Sequence, residues 1–126
     1  MSGNLTTYLE DKILDHCLGT ATFEKPSVYV GLFSVAPTDA DLGKEVAGNG
    51  YCRKRATFKT ANNGTTSNAS NINFHEMPSV TTVAVGIFDS PTEGNMLLFG
   101  YLTQEAETDE GDTLQIAAGD FDLEID

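Results

Sequence analysis

The sequence lacks the long apolar runs and the leader pattern that mark membrane and exported proteins. No segment approaches the roughly 18 to 20 consecutive apolar residues that span a bilayer, and no basic stretch followed by an apolar run stands at the start. We therefore expect a soluble protein without an export signal. With 126 residues, 40% of them hydrophobic, the chain is expected to form a single domain over residues 1–126 that needs no metal or disulfide.

Cysteine is scarce. Cys17 and Cys52 are the only two, without the Cys-x-x-Cys spacing of metal or redox sites, and two are too few for a disulfide framework. Because a free cysteine packs as a small hydrophobe, the expectation is two buried or half-buried thiols.

Basic residues are missing from half of the chain. Residues 60–126 hold twelve acidic residues and no lysine or arginine, whereas residues 1–59 hold seven acids and all seven bases, for a net charge of -12. An acidic half of this kind repels phosphate backbones and anionic lipid. We therefore expect neither nucleic acid nor membrane as a partner, and we favour a protein partner.

Recognisable catalytic and phosphate-binding motifs are absent too. His16 and His75 are the only histidines, and no Gly-x-Ser-x-Gly elbow is present. His16 and Cys17 are adjacent, so on a helix they point about 100 degrees apart and pair poorly as base and nucleophile. Gly48-x-Gly50 lacks the rest of a phosphate-binding loop. We predict no enzyme activity, no catalytic residue and no cofactor.

The acidic clusters do not complete a metal site. Asp39-x-Asp41 begins like a calcium loop, but Lys44 and Gly50 stand where an EF-hand requires glycine and glutamate. Residues 109–112 could hold Ca²⁺ through hard oxygen ligands, but a solvated turn is favoured. We predict no metal site.

One helix is predicted, over residues 4–18. Asn4, or Thr7 with Glu10, can cap its start, and Gly19 can form its left-handed end. A helix of this length needs a docking surface to be stable. The side chains that recur at every fourth position on its apolar face are Leu5, Leu9, Ile13 and Cys17.

Beyond the helix the pattern is that of strands separated by turns. Residues 65–71 remain open between a loop and a polar edge strand. Because six or seven strands do not alternate with helices, we predict a mainly β fold, an antiparallel β-sandwich whose core spans about residues 27–126, with one N-terminal helix. The candidate strands are residues 28–33, 51–58, 72–74, 80–88, 96–102, 113–117 and 121–125.

Three segments are candidates for contact with a partner. Arg53 and Arg55 share one face of a predicted strand, which either pairs with acidic neighbours across the sheet or contacts an acidic surface such as that of an identical subunit. The alternating C-terminus forms a terminal strand within the subunit or adds to a neighbour's sheet. With the helix face, the candidate interface residues are Leu5, Leu9, Ile13, Arg53, Arg55, Phe121, Leu123 and Ile125.

Several short motifs, taken in order, resemble a family of small tailed-phage virion proteins often labelled tail fibre or tail proteins. The first is a helix of the form Leu-x-x-Tyr-Leu-Glu-x-Lys-Leu-Leu-Asp-His. It corresponds here to residues 5–16, with isoleucine at position 13. The other matching segments are residues 29–33, 36–39, 45–46, 50–53, 63–68, 86–89, 94–100 and 118–120.

The resemblance implies a virion structural protein without enzyme activity, assembled in the host bacterial cytoplasm. We expect a capsid decoration or cement protein, a homo-oligomer with a trimer favoured, that clamps subunits of the major capsid protein. The alternative is a tail or neck fibre or accessory protein bound to other virion proteins. A glycan-binding version of this alternative predicts a surface cluster of Tyr29, Tyr51 and Tyr101.

Overall fold

The structure, a computed structural model, describes residues 3–38 and 43–124. Within these residues the chain forms ten strands and one helix, so the mainly β prediction with a single helix is confirmed. None of the described helical structure is long and apolar enough to cross a membrane. The elements are β1 (Gly3–Leu5), α1 (Thr7–Cys17), β2 (Tyr29–Val35), β3 (Lys44–Glu45), β4 (Lys54–Arg55), β5 (Thr65–Ser67), β6 (Ile72–Met77), β7 (Val80–Phe88), β8 (Met96–Thr108), β9 (Asp112–Ile116) and β10 (Asp122–Glu124).

The largest sheet has six strands, all paired antiparallel. Its order is β1-β8-β7-β2-β3, and β4 pairs with β2 on the same side as β3. Strands β2 and β7 are central because their alternating apolar residues are buried on both faces. Along β2, Val30 and Leu32 belong to the main core, whereas Phe33 belongs to a second cluster with Ala84 and Phe88.

The second layer forms because the antiparallel ribbon of β7 and β8 bends and continues as the pair of β6 and β9. Strands β7 and β8 pair from Phe88 down to Val80, and beyond the bend β6 pairs with β9. The Thr108 hydroxyl donates to the Pro78 carbonyl at 2.8 Å and holds the bend. The bent ribbon, together with the β5–β10 pair, covers one face of the large sheet. The main core between them comprises Leu9, Val30, Leu32, Val46, Ala56, Ile72, Phe74, Met77, Val85, Ile87, Leu97, Ile116, Phe121 and Leu123.

The predicted helix boundaries need correction. Asn4 lies in β1, and the N-cap is Thr6, whose hydroxyl accepts from the Leu9 amide at 3.3 Å. The C-terminal end is as predicted. Gly19 has φ +82°, and the Thr20 amide donates to the Asp15 carbonyl at 2.9 Å, which closes the last turn.

The strand predicted over residues 51–58 is reduced to β4, Lys54–Arg55. Strand β3 already occupies the outer edge of β2 at Phe33 and Val35, so β4 pairs only with Tyr29 and Val30. Other strands are longer than predicted: β6 continues to Met77 and β8 to Thr108. Within residues 65–71, the polar edge alternative holds for β5, which pairs with β10.

The prediction for the cysteines was wrong about burial. Cys17 and Cys52 are both free, and both are exposed. Cys17 lies in the last turn of α1, whereas the only buried side chain of that helix is Leu9, in its first turn. The apolar stripe therefore does not lie against the core along its whole length. Cys52 lies next to Tyr51, which packs against the main core, and its own side chain faces outward.

Strict alternation along β7 would put Val83 on the same face as Val85 and Ile87. The structure packs it instead against the second cluster, because the pairing of β7 with β8 shifts register between Thr82 and Ala84.

Candidate functional site

Arg53 is the centre of a polar network on the second face of the large sheet, the face that carries the cluster of Phe33, Ala84 and Phe88. Its Nε and Nη2 each donate to a different oxygen of Glu45 at 2.9 Å, which is a bidentate ion pair. Its Nη1 donates to the carbonyls of Ser90 and Glu93 at 3.0 and 2.8 Å. The guanidinium carbon lies 3.5 Å from the centre of the Phe88 ring. The side chain, only 10% exposed, therefore fixes the 89–95 turn onto the sheet.

Tyr51 connects this network to the main core. Its hydroxyl donates to Oε2 of Glu45 at 2.8 Å and accepts from the amide of Leu32 at 2.8 Å, while its ring stacks on Phe74. Burial of the ring raises the pKa of Tyr51 well above its usual value of 10.0, and the nearby Glu45 carboxylate raises it further. The hydrogen bond from Leu32 and the charge of Arg53 act in the opposite direction.

The structure does not present Arg53 and Arg55 as one exposed basic face. Arg53 is held inside the chain by Glu45, whereas Arg55 is exposed on β4. Arg53 therefore pairs with an acidic residue of its own chain, but in a largely buried setting and outside any strand rather than on an exposed strand face. The sequence shows the charge cluster but gives no sign that Glu45, beyond a polar loop, folds back onto Arg53.

The N-terminal segment docks on its own chain. Leu9 is buried, and Leu5 and Ile13 are half-buried against the main core. The Thr6 hydroxyl also lies within hydrogen-bond distance of the carbonyls of Met96 and Leu97, at 2.8 and 3.0 Å. These contacts leave the apolar residues at the other end of α1 uncovered: Leu14 is 57% and Leu18 75% exposed.

The C-terminal strand also pairs within the chain. Phe121 and Leu123 are buried in the main core, and β10 pairs with β5. This arrangement corresponds to the within-subunit alternative. Ile125, the last of the candidate interface residues, lies outside the described residues.

Asn68 holds the C-terminal strand β10 in place through hydrogen bonds. The sequence analysis assigned this residue no structural role. Its Nδ2 donates to the carbonyls of Ser70 and Ala117, and its Oδ1 accepts from the amides of Gly119 and Phe121, all at 2.9 to 3.1 Å. The residue is completely buried. All four hydrogen-bonding positions of the amide are therefore used. Nothing in a Ser/Thr/Asn-rich stretch distinguishes this asparagine from its exposed neighbours.

The two histidines are exposed and engaged separately. His16 Nδ1 accepts from the Phe23 amide at 3.2 Å, and His75 Nδ1 lies 3.2 Å from the Thr113 hydroxyl. Among residues 3–38 and 43–124, no group of three or more histidine, cysteine or acidic side chains could hold a metal ion. Asp39 and Asp41 lie outside the described residues.

Two shallow cavities adjoin on the second face of the sheet. One, of about 280 Å³, is lined mainly by Phe33, Phe88 and the Arg53–Glu45 pair. The other, of about 260 Å³, lies beside the start of α1, and both include Gly94 and Met96. The predicted aromatic cluster for a glycan is not assembled there, because the Tyr51 ring stacks on Phe74 in the main core.

A comparison against known families agrees with the resemblance that the ordered motifs indicate. The model of the family described as podophage GP4 fiber I protein gp80 matches residues 4–124. The chain belongs to this family. As a member of the gp80 family, it is a bacteriophage virion structural protein that associates with other virion proteins. The resemblance inferred from the motifs is thereby confirmed. None of the curated proteins compared with the chain matches it.

Proposed function

We propose that this gp80-family protein is a non-enzymatic, self-associating subunit of a phage fibre assembly in the tail or neck. The observation that carries the proposal is the match to a fibre protein family over residues 4–124.

The end of α1 is the proposed attachment point to another virion protein. Leu14 and Leu18 are exposed at this end of the helix, whereas its first turn is anchored in the main core. Removal of residues 1–18 would also remove β1 and Leu9, so it would confuse attachment with folding. A Leu14→Glu/Leu18→Glu variant changes exposed positions only, and a Glu10→Gln/Asp11→Asn variant is a matched control on the polar side of the helix.

The test is incorporation of each variant into particles in a complementation assay. We expect the leucine variant to fold, as judged by circular dichroism, and to be lost from purified virions, while the control is retained. Normal incorporation of the folded leucine variant would contradict attachment through this end of α1.

Capsid decoration is the second candidate, in which an oligomer, with a trimer favoured, clamps neighbouring major capsid proteins. The layered packing of the described residues favours it, since those residues fold back into stacked sheets and contain no extended shaft. Copy number per virion, measured by quantitative mass spectrometry, separates the two. Copies comparable to those of the major capsid protein support decoration; a small fraction of that number supports the fibre.

A further inference from the structure

The large sheet has two outer edges of opposite charge. The first, the basic edge, is formed by β3 and β4, which both pair with the outer side of β2. Lys44 and Arg55 are exposed there, and Lys54 is half-buried. The one ion pair among the described residues is Arg53–Glu45. The three cations of the basic edge therefore have no acidic partner among the described residues.

The second, the acidic edge, lies in the distal half of β8. Strand β1 pairs with β8 only at Leu98 to Gly100, so β8 has no described partner on that side over residues 101–108. Glu105 and Glu107 are exposed in this stretch, and exposed acids continue through the turn with Asp109 and Glu110. The edge also carries an exposed aromatic ring, Tyr101.

These edges cannot meet within one chain, because β7 and β2 lie between them in the sheet. An open strand edge with unpaired backbone groups is a template for another strand, and opposite charges across that contact stabilise it. We propose that a second copy of this chain binds edge to edge, the acidic edge of one protomer against the basic edge of the next. The proposal deepens the self-association in the proposed fibre function and rests on it.

The charge distribution favours this partner over an unrelated acidic protein. Residues 60–126 contain no lysine or arginine, so the chain as a whole, at -12, repels itself unless its few cations face the acidic edge. An edge-to-edge contact of this kind uses different surfaces on the two protomers. It is therefore heterologous, and repetition of it builds a closed ring or an open row.

A charge exchange tests the contact. Lys54→Glu/Arg55→Glu makes strand β4 acidic, like the distal half of β8, and Glu105→Lys/Glu107→Lys makes the distal half of β8 basic, like β4. The four substitutions together restore opposite edges with their signs exchanged. Glu24→Lys/Lys25→Glu exchanges exposed charges outside β3, β4 and β8 and is the matched control. Association is measured by analytical ultracentrifugation, after circular dichroism has shown that each variant is folded.

We expect each two-site variant to associate at least about tenfold more weakly than the natural chain, and the four-site variant and the control to remain within a few fold of it. Association of the natural chain should weaken from about 0.1 M to about 1 M salt, as the screening length falls from about 10 to 3 Å. A 1:1 mixture of the two-site variants should associate by alternation of the two variants, so every closed ring that it forms should contain an even number of protomers.

Unchanged association of both two-site variants, weak association of the four-site variant, or a natural chain that is monomeric throughout would overturn the edge contact. The proposed fibre function is judged separately by copy number in virions, which does not depend on association in solution. A monomeric chain present at fibre copy number would thus reject the edge contact and the self-association but keep the assignment to a fibre.

Discussion

At the residue scale, Asn68 shows how a single side chain can hold a chain end in place. Its buried amide joins the segment after β9 to the segment before β10, so it fixes Phe121 and Leu123 in the core. A buried amide with all of its hydrogen bonds made is strongly intolerant of change, because any replacement leaves several backbone groups unpaired.

The substitution Asn68→Asp should therefore lower the free energy of unfolding by more than about 3 kcal/mol. The new carboxylate oxygen would face the carbonyls of Ser70 and Ala117 where an N–H now donates. Asn71→Asp is the control, since Asn71 is exposed and its Oδ1 already accepts from the Ala118 amide. Urea unfolding measures both variants, and equal losses would contradict the special role of Asn68.

Tyr51 predicts a dependence of stability on alkaline pH. Its pKa is raised in the folded state, so its contribution is complete below the usual value of 10.0 and is lost as the pH rises above it. The natural chain should thus lose more stability above pH 10 than Tyr51→Phe does. At neutral pH the variant should be about 1 to 2 kcal/mol less stable, because the Leu32 amide loses its acceptor.

The measurement is thermal unfolding across that pH range, with Tyr101→Phe as an exposed control. Parallel pH profiles for the natural chain and Tyr51→Phe would show that the buried hydroxyl is not the source of the alkaline loss.

At the scale of elements, the start of α1 is stabilised by hydrogen bonds within the helix and to the large sheet. Thr6 caps the helix at the Leu9 amide and contacts the carbonyl groups of β8, whereas Thr7, the alternative cap suggested by the sequence, is the first helical residue and exposed. Thr6→Ala should therefore cost about 1 to 2 kcal/mol, and Thr7→Ala much less. Chemical unfolding followed by circular dichroism compares them, and a larger loss for Thr7→Ala would contradict the assigned cap.

The elements that could be predicted from the sequence are those whose own residue pattern is sufficient to indicate a strand or a helix. Strands β2 and β7 were located from their runs of alternating β-branched and aromatic residues, with bounds close to those observed. Strands β1, β3 and β4 have only two or three residues each, and they form because β8 or β2 offers an edge. The β-propensity of so short a segment does not indicate that it pairs with a neighbouring strand.

The same limit applies to the site. Arg53 was selected as a charged patch, but its role depends on Glu45, Phe88 and the 89–95 turn, which are brought together only by the fold. Similarly, the apolar spacing of α1 identified Leu9 correctly but extended to Cys17, because periodicity cannot show where the supporting sheet ends.

At the scale of the whole molecule, repulsion among the excess negative charges destabilises the folded state. The chain carries -12, and the described residues contain only one ion pair, Arg53–Glu45. Repulsion among exposed acids is long-ranged at low ionic strength and is screened by salt. The compact state, which holds these charges closest together, should gain most from that screening.

Raising the salt concentration from about 0.01 to about 0.15 M should therefore increase Tm, because the screening length falls from about 30 to 8 Å. A gain of about 1 kcal/mol would correspond to a rise of roughly 3 to 6 °C in a domain of this size. The triple variant Glu105→Gln/Glu107→Gln/Glu110→Gln removes three exposed charges of one cluster and should show a smaller rise. Differential scanning calorimetry at a protein concentration that keeps the chain monomeric separates this effect from association. A Tm that falls with salt would mean that attractive pairs outweigh the repulsion.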